Sequence, residues 1–262
     1  MRALAIGATG MNAQQINVDT ISNNIANMTT TGFKGQRAEF ADLLYQNMLQ
    51  PGSATSETGT IAPTGISLGS GVRPVGIYRM DQQGTVQQTT NPLDLAIQGK
   101  GFLQVQLPSG QTAYTRDGSL QLNAQGQIVT ADGFPIIPNI TIPVTSTGVT
   151  INSAGQVFAT IPGSATPQNL GQIQLASFVN DAGLQGMGGN LYSETDASGT
   201  ATLGNPNADG YGSILQGSLE NSNVNIVSEM TNLITAQRAY EMNSKVIKSA
   251  DEMQQTITGL SS

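Results

Sequence analysis

Apolar positions recur at two different periods along this chain, and the change of period divides it. From Leu4 to Met28 there is no proline, and glycine occurs only at Gly7 and Gly10. Leu4, Met11, Val18 and Ile25 recur at heptad spacing, with Ile21 and Met28 at the second seam position. Asn12, Gln14, Gln15, Asn17, Asn23 and Asn24 fill much of the other face. The pattern predicts a helix about 38 Å long at ~1.5 Å per residue. It should close near Thr31-Gly32, where glycine can take the left-handed cap conformation. The C-terminal end mirrors it. Asn223 or Asn225 can cap a helix running to about Thr258, along which Ile226, Leu233, Tyr240 and Ile247 keep heptad spacing. Ala236, Ala250 and Ile257 lie beside them, and Ala239, Val246, Met253 and Leu260 widen the face.

Between these ends the period becomes two. Met48 to Arg73 is rich in Pro, Gly, Ser and Thr, as in Gln50-Pro51-Gly52-Ser53 and Ala62-Pro63-Thr64-Gly65, and is expected to be a loop or extended arm. From Val72 to about Gln216 the signals are those of strands: Leu93, Leu95 and Ile97 alternate with Asp94, Ala96 and Gln98, and Leu103, Val105 and Leu107 repeat the pattern. Leu122-Asn123-Ala124-Gln125-Gly126-Gln127-Ile128 parallels Ile151-Asn152-Ser153-Ala154-Gly155-Gln156-Val157, each predicting a hairpin with glycine at a positive-φ position. Asp117-Gly118 and Asp132-Gly133 mark further turns, and Gly183 to Gly212 is expected to be mostly loop.

The fold class is therefore α+β. We expect residues 1–47 to hold the N-terminal helix and a following segment, 48–73 the arm, 74–216 a β-rich and mainly antiparallel domain, and 217–262 the C-terminal helix. The two long helices are expected to pair as a coiled-coil-like inner domain apart from the β-rich middle. The plainer alternative makes both helices core elements of one globule.

Composition changes the picture in two ways. Only 10% of residues are charged, against roughly 25% in an ordinary soluble protein. Amides and hydroxyls cost less to desolvate than ions, so such a surface suits contact between copies of the chain. A net charge of −7 with no run of Lys and Arg argues against nucleic acid and against an anionic lipid surface. No stretch approaches the ~20 apolar residues of a membrane span, so no membrane insertion is expected. Met1 to Gly10 is too short and broken for a cleaved secretory signal.

The second change concerns chemistry. With no Cys and no His, thiolate nucleophiles, Ser-His-Asp machinery and His- or Cys-based zinc sites are impossible. Asp94, Asp117 and Asp132 are the carboxylates left for glycoside hydrolysis, which needs a facing pair roughly 5–10 Å apart. Asp94 reads as the polar side of a strand, and the other two precede turn glycines. Gln98-Gly99-Lys100-Gly101-Phe102 lacks phosphate-loop spacing and predicts a tight turn with a solvated lysine. Asn205 to Asp209 lacks the order of a calcium loop. No catalytic residue, metal or cofactor is assigned.

Three stretches carry a family resemblance. Ser22-Asn23-Asn24-Ile25-Ala26-Asn27, followed by Thr31-Gly32-Phe33-Lys34, resembles the N-terminal signature of bacterial flagellar rod and hook proteins. Asn91-Pro92-Leu93-Asp94-Leu95-Ala96-Ile97-Gln98-Gly99-Lys100-Gly101-Phe102, with Tyr114-Thr115-Arg116-Asp117-Gly118, is similar to their middle region. Gln216-Gly217-Ser218-Leu219-Glu220-Asn221-Ser222-Asn223-Val224, running into Ala236-Gln237-Arg238-Ala239-Tyr240-Glu241, is similar to their C-terminal region. Arg37 to Gln46, Gln50-Pro51-Gly52 and Leu68 to Pro74 resemble the distal-rod branch, whose arm hook proteins lack. Met28-Thr29-Thr30 departs from the usual wording, which keeps a proximal-rod paralogue as the alternative.

The resemblance implies a non-enzymatic subunit of the distal rod in the flagellar basal body. It would build a rigid helical tube that spans the periplasm and carries torque from motor to hook. Implied partners are other copies of the chain, proximal rod, hook, surrounding ring proteins and, during assembly, the type III export apparatus. The residues expected at subunit interfaces are Leu4, Met11, Val18, Ile21, Ile25, Met28, Ile226, Leu233, Tyr240, Ile247, Ile257, Pro51 and Pro63. A cell-wall hydrolase and a monomeric carbohydrate-binding module are the rivals. The second is disfavoured by 5% aromatic content and no Trp.

Overall fold

The computed structural model describes residues 2–52, 63–163 and 166–260. Two compact units emerge. A helical unit takes in Met1–Ile25, Gln36–Tyr78 and Ile226–Ser262, and a β unit takes in Ala26–Gly35 and Arg79–Asn225. The α+β class is what the chain adopts.

In the helical unit, α1 (Arg2–Ala26) and α2 (Ile226–Leu260) run antiparallel. Gly7 and Gly10 mark where the backbones meet. A Cβ on Gly7 would stand 2.7 Å from Cγ1 of Ile247, and one on Gly10 would stand 2.8 Å from Nδ2 of Asn243. Near the other end, Asn24 Nδ2 donates to Glu229 Oε2 at 3.3 Å. The buried face of α1 is Gly7, Ala13, Thr20, Ile21 and Asn24. Opposite it, Ala236 is buried and Leu233, Asn243, Ile247 and Ala250 are half-buried. Small and amide side chains therefore make the close contact, while Leu4, Met11, Val18 and Ile25 stay half-buried.

α1 also stops earlier than its periodicity predicts. Thr30 Oγ1 donates to Asn27 Oδ1 at 3.2 Å and Thr30 N to Asn27 O at 3.2 Å, closing a turn across a run of poorly helical threonines. Met28 therefore lies in a turn rather than on a helical seam, and Gly32 takes φ +66° beyond it. The carboxamide of Asn24 exchanges two 2.8 Å hydrogen bonds with the backbone of Gln36, which fixes the start of β1 (Gln36–Asp42).

β2 (Tyr45–Leu49) pairs antiparallel with β3 (Ile66–Gly69), and β4 (Val72–Arg79) pairs with β1. The ends of the expected arm are thus a hairpin stem, not loop. Tyr45 and Ile66 are good strand residues, and Pro51, Gly52, Pro63 and Gly65 lie in the stretch between the two strands. Residues 53–62 of that stretch, Ala62 among them, lie outside the described residues.

The β unit is built on a mainly antiparallel sheet whose strands run in the order 185–188, 191–193, 112–115, 102–106, 175–177 and 202–204, with 136–137 also paired to 102–106. A three-stranded sheet (148–151, 156–160, 168–172) and two-stranded ribbons surround it. Leu95, Ile97, Leu103, Val157, Ile173 and Ile214 anchor the main core. Phe178 packs edge-to-face on Phe102 and Tyr114, with ring centroids 5.9 and 4.8 Å away, in a second cluster.

Both repeated segments form the predicted hairpins, pairing Leu122 with Ile128 and Ile151 with Val157. The chemistry is the same in each. Asn123 Oδ1 accepts from the N–H groups of Gln125 and Gln127, and Asn152 Oδ1 from those of Ala154 and Gln156. Gly126 and Gly155 take φ +77° and +79°, the left-handed conformation this turn requires.

Gly183 to Gly212 is mostly loop, as expected, and carries three short strands, 185–188, 191–193 and 202–204, because backbone pairing onto existing strands does not demand apolar side chains. One expectation fails in this unit. Asp94 is not on the polar side of a strand. It is buried in the turn before strand 95–98, accepting from Thr89 Oγ1 at 2.7 Å and Asn91 Nδ2 at 2.8 Å. Leu95, Ala96 and Ile97 are all buried, so that strand is covered on both faces.

Candidate functional site

Two of the three acidic residues weighed for catalysis are engaged structurally. Asp94 closes its turn, and Asp117 accepts from Ser119 through Oδ1 and from Asn190 through Oδ2. Asp132 is exposed at its turn. Among the described residues no group of three or more acidic side chains could hold a metal ion.

A concentrated cluster of buried charge lies inside the β unit. The side chain of Glu220 is 1% exposed. Its Oε1 accepts from Lys34 Nζ at 2.5 Å and from Gly84 N at 2.9 Å, and its Oε2 accepts from Arg116 Nε at 3.0 Å. Arg116 spends its other donors on the carbonyls of Gly101 (2.8 Å) and Gly99 (2.6 Å), and Lys34 also donates to Gln82 O at 2.8 Å. Asn223 adds a neutral clasp, accepting from Gly35 N at 2.7 Å and donating to the carbonyls of Met80 and Gln82 at 2.9 Å. One carboxylate thus holds two buried cations, and segments near 34, 82, 116 and 220 are tied together.

Electrostatics follow from that geometry. Burial pushes the Glu220 carboxyl up, but the Arg116 charge, the Lys34 hydrogen bond and charge and the Gly84 N–H outweigh it, leaving it below the ordinary glutamate range. Burial pulls the Lys34 ammonium down, opposed first by its hydrogen bond to Glu220. A carboxylate depressed in the folded state contributes stability above its unfolded value and loses it as pH falls through the folded one. The β unit should therefore lose stability steeply only below the usual carboxylate range. A Glu220→Gln variant should start from a lower thermal midpoint at neutral pH and fall less on acidification. Parallel midpoint curves for the two proteins would contradict this.

Sequence reading did not assemble this cluster. Lys34 and Glu220 are 186 positions apart, and Arg116 and Glu220 are 104 apart. The available signal was that each stands inside one of three distinctive stretches of a chain with very little charge.

The second feature is a surface. Most of the exposed large apolar side chains among the described residues belong to the helical unit. On α2 they include Val227, Met230, Ile234, Met242, Met253 and Ile257, with Val227 72% and Ile257 67% exposed. On the hairpin, Leu44 is 88% and Met48 64% exposed, and both faces of β2 and β3 are largely open. Of the residues expected at interfaces, Ile226, Tyr240, Ile257, Met28, Pro51 and Pro63 are exposed. Leu4, Met11, Val18, Ile25, Leu233 and Ile247 are half-buried, and Ile21 is buried. No helix among the described residues is long and apolar enough to cross a membrane.

Comparison with known proteins follows the same three segments. Residues 4–34 match the family described as flagella basal body rod protein, residues 96–159 the flagellar hook protein FlgE/F/G D1 domain, and residues 215–260 the flagellar basal body rod FlgEFG protein C-terminal. Lys34, Arg116 and Glu220 fall one in each. Over 262 residues and the full length of both chains, the sequence is 56% identical to the flagellar basal-body rod protein FlgG of Caulobacter vibrioides. It is 50% identical to that of Agrobacterium fabrum over 97% of each chain, and 37% identical to that of Bacillus subtilis over 99% of each. With such identity across its whole length, the chain belongs to the family of flagellar basal-body rod proteins.

Proposed function

We propose that the chain is a non-catalytic structural subunit of the distal rod in the flagellar basal body, polymerising with its own copies into a rigid helical tube that transmits torque from motor to hook. The observation that carries this reading is the concentration of exposed apolar side chains on the helical unit. Such area is covered only by another molecule, at about 25 cal/mol per Å² buried. Contacts of this kind that do not close on themselves build a helical filament.

In this reading α1 and α2 pair in a coiled-coil-like manner within the helical unit. Proximal rod and hook subunits would cap the ends, ring proteins would surround the tube, and the type III export apparatus would deliver the chain. These partners rest on the family resemblance. Sedimentation of the purified chain across concentrations, with micrographs of the pellet, tests the core of the proposal. Concentration-dependent tubular polymers are expected, and a chain that stays monomeric at every concentration would sink it.

The arm over 48–73 supplies the stiffness. A two-stranded hairpin open on both faces is marginal by itself and gains its cover from neighbouring copies. Removing 48–73 should leave a polymer that bends more easily. Unchanged bending stiffness in electron micrographs would refute the role given to the arm.

A further inference from the structure

The exposed apolar set of the helical unit contains four methionines. Met48, Met230, Met242 and Met253 are 64, 53, 59 and 61% exposed. The chain has no Cys, Trp or His, so its exposed thioethers, these four together with Met187 and Met28 of the β unit, are the readiest targets it offers a two-electron oxidant. The methionine thioether is flexible and polarisable, which suits a surface meeting non-identical neighbours in an open array. Oxidation converts it into a polar sulfoxide that resists the desolvation an apolar contact requires.

We propose that Met48, Met230, Met242 and Met253 form an oxidation-sensitive set, and that their conversion to sulfoxide by hydrogen peroxide keeps copies of the chain from joining. The inference rests on the assembly reading above. In the step, a sulfur lone pair attacks one peroxide oxygen and the O–O bond breaks as the S–O bond forms. Sulfur gives up two electrons, and the other oxygen takes the remaining proton and leaves as water.

The test uses the purified full chain, hydrogen peroxide, peptide mass spectrometry to locate added oxygen, and sedimentation to follow assembly. Oxidation of the four should raise the concentration needed for half the chain to sediment by at least about tenfold. Methionine sulfoxide reductases should reverse the change. A variant carrying Met48→Leu, Met230→Leu, Met242→Leu and Met253→Leu should show the same assembly before and after peroxide, whatever its starting level. The four methionines should also oxidise about tenfold more slowly in sedimented polymer than in dilute chain. Oxidised parent that assembles as before, a four-leucine variant that still loses assembly on oxidation, or equal oxidation rates in polymer and dilute chain would each overturn the inference. If untreated parent never sediments, the assembly reading fails first and this inference falls with it.

Discussion

Replacing Glu220 with alanine should lower the stability of the β unit by about 3–5 kcal/mol, the range for removing one partner of a buried ion pair. The reason is not the lost attraction alone. Lys34 and Arg116 are both buried, at 4% and 8% exposure, and Glu220 is the carboxylate that both of them contact. Without it two positive charges remain in a poorly solvated site, and Gly84 N loses its acceptor. Domains of ordinary size hold about 5–15 kcal/mol in total, so the variant should approach the edge of folding. Its thermal midpoint should fall by roughly 10 °C, followed by circular dichroism because the chain has no Trp. A loss below about 1 kcal/mol would mean that the cluster is relaxed or hydrated.

A companion variant separates stability from register. Lys34→Met, Arg116→Met and Glu220→Leu together remove the cluster's charges and their desolvation cost, but leave Gly84 N and the carbonyls of Gln82, Gly99 and Gly101 without these partners. If the cluster matters for fixing which segments meet, this variant should lose less of its midpoint than Glu220→Ala but unfold over a broader range. A transition as sharp as the parent's would assign the cluster to stability alone.

What could be read from the sequence was whatever depends on neighbours in the chain. The Asn-Xaa-Xaa-Gly-Gln hairpins were legible because the Asn side chain, the turn amides and the glycine φ are set within five residues. The helices were legible from their period, and their ends less so. The stop at Ala26 depends on Asn27 and Thr30 bonding to each other, a local competition that periodicity does not register. The face α1 turns to α2 was also hidden. A hydrophobic seam search favours Leu4, Met11, Val18 and Ile25, whereas the backbones come together where Gly7, Gly10 and Ala13 leave room. Strands at 185–188 and 202–204 escaped because their side chains carry no alternation, only backbone pairing. The Lys34–Glu220–Arg116 cluster escaped because nothing local links residues so far apart.

That finding about α1 sharpens what mutations on α2 should do. Leu233→Asp with Ile247→Asp should abolish sedimentable polymer, but by an indirect route. Ile247 packs against Gly7 within one chain, and Leu233 lies on the same half-buried stripe. Charges there should first part the two helices, and helical circular dichroism should drop while the β unit stays folded. Ile234→Asp with Ile257→Asp acts differently. Both side chains are exposed, at 50% and 67%, so the helical pair should survive intact. Covering a large apolar side chain contributes about 1.5–3 kcal/mol. Two aspartates placed where two such side chains would be covered should raise the concentration needed for assembly by about a hundredfold or more. Loss of polymer with helicity kept would place copy-to-copy contact on the outward face of α2. Polymer formed by the Ile234→Asp, Ile257→Asp chain at the parent's concentration would remove that face from the assembly, leaving the hairpin of β2 and β3 to carry it.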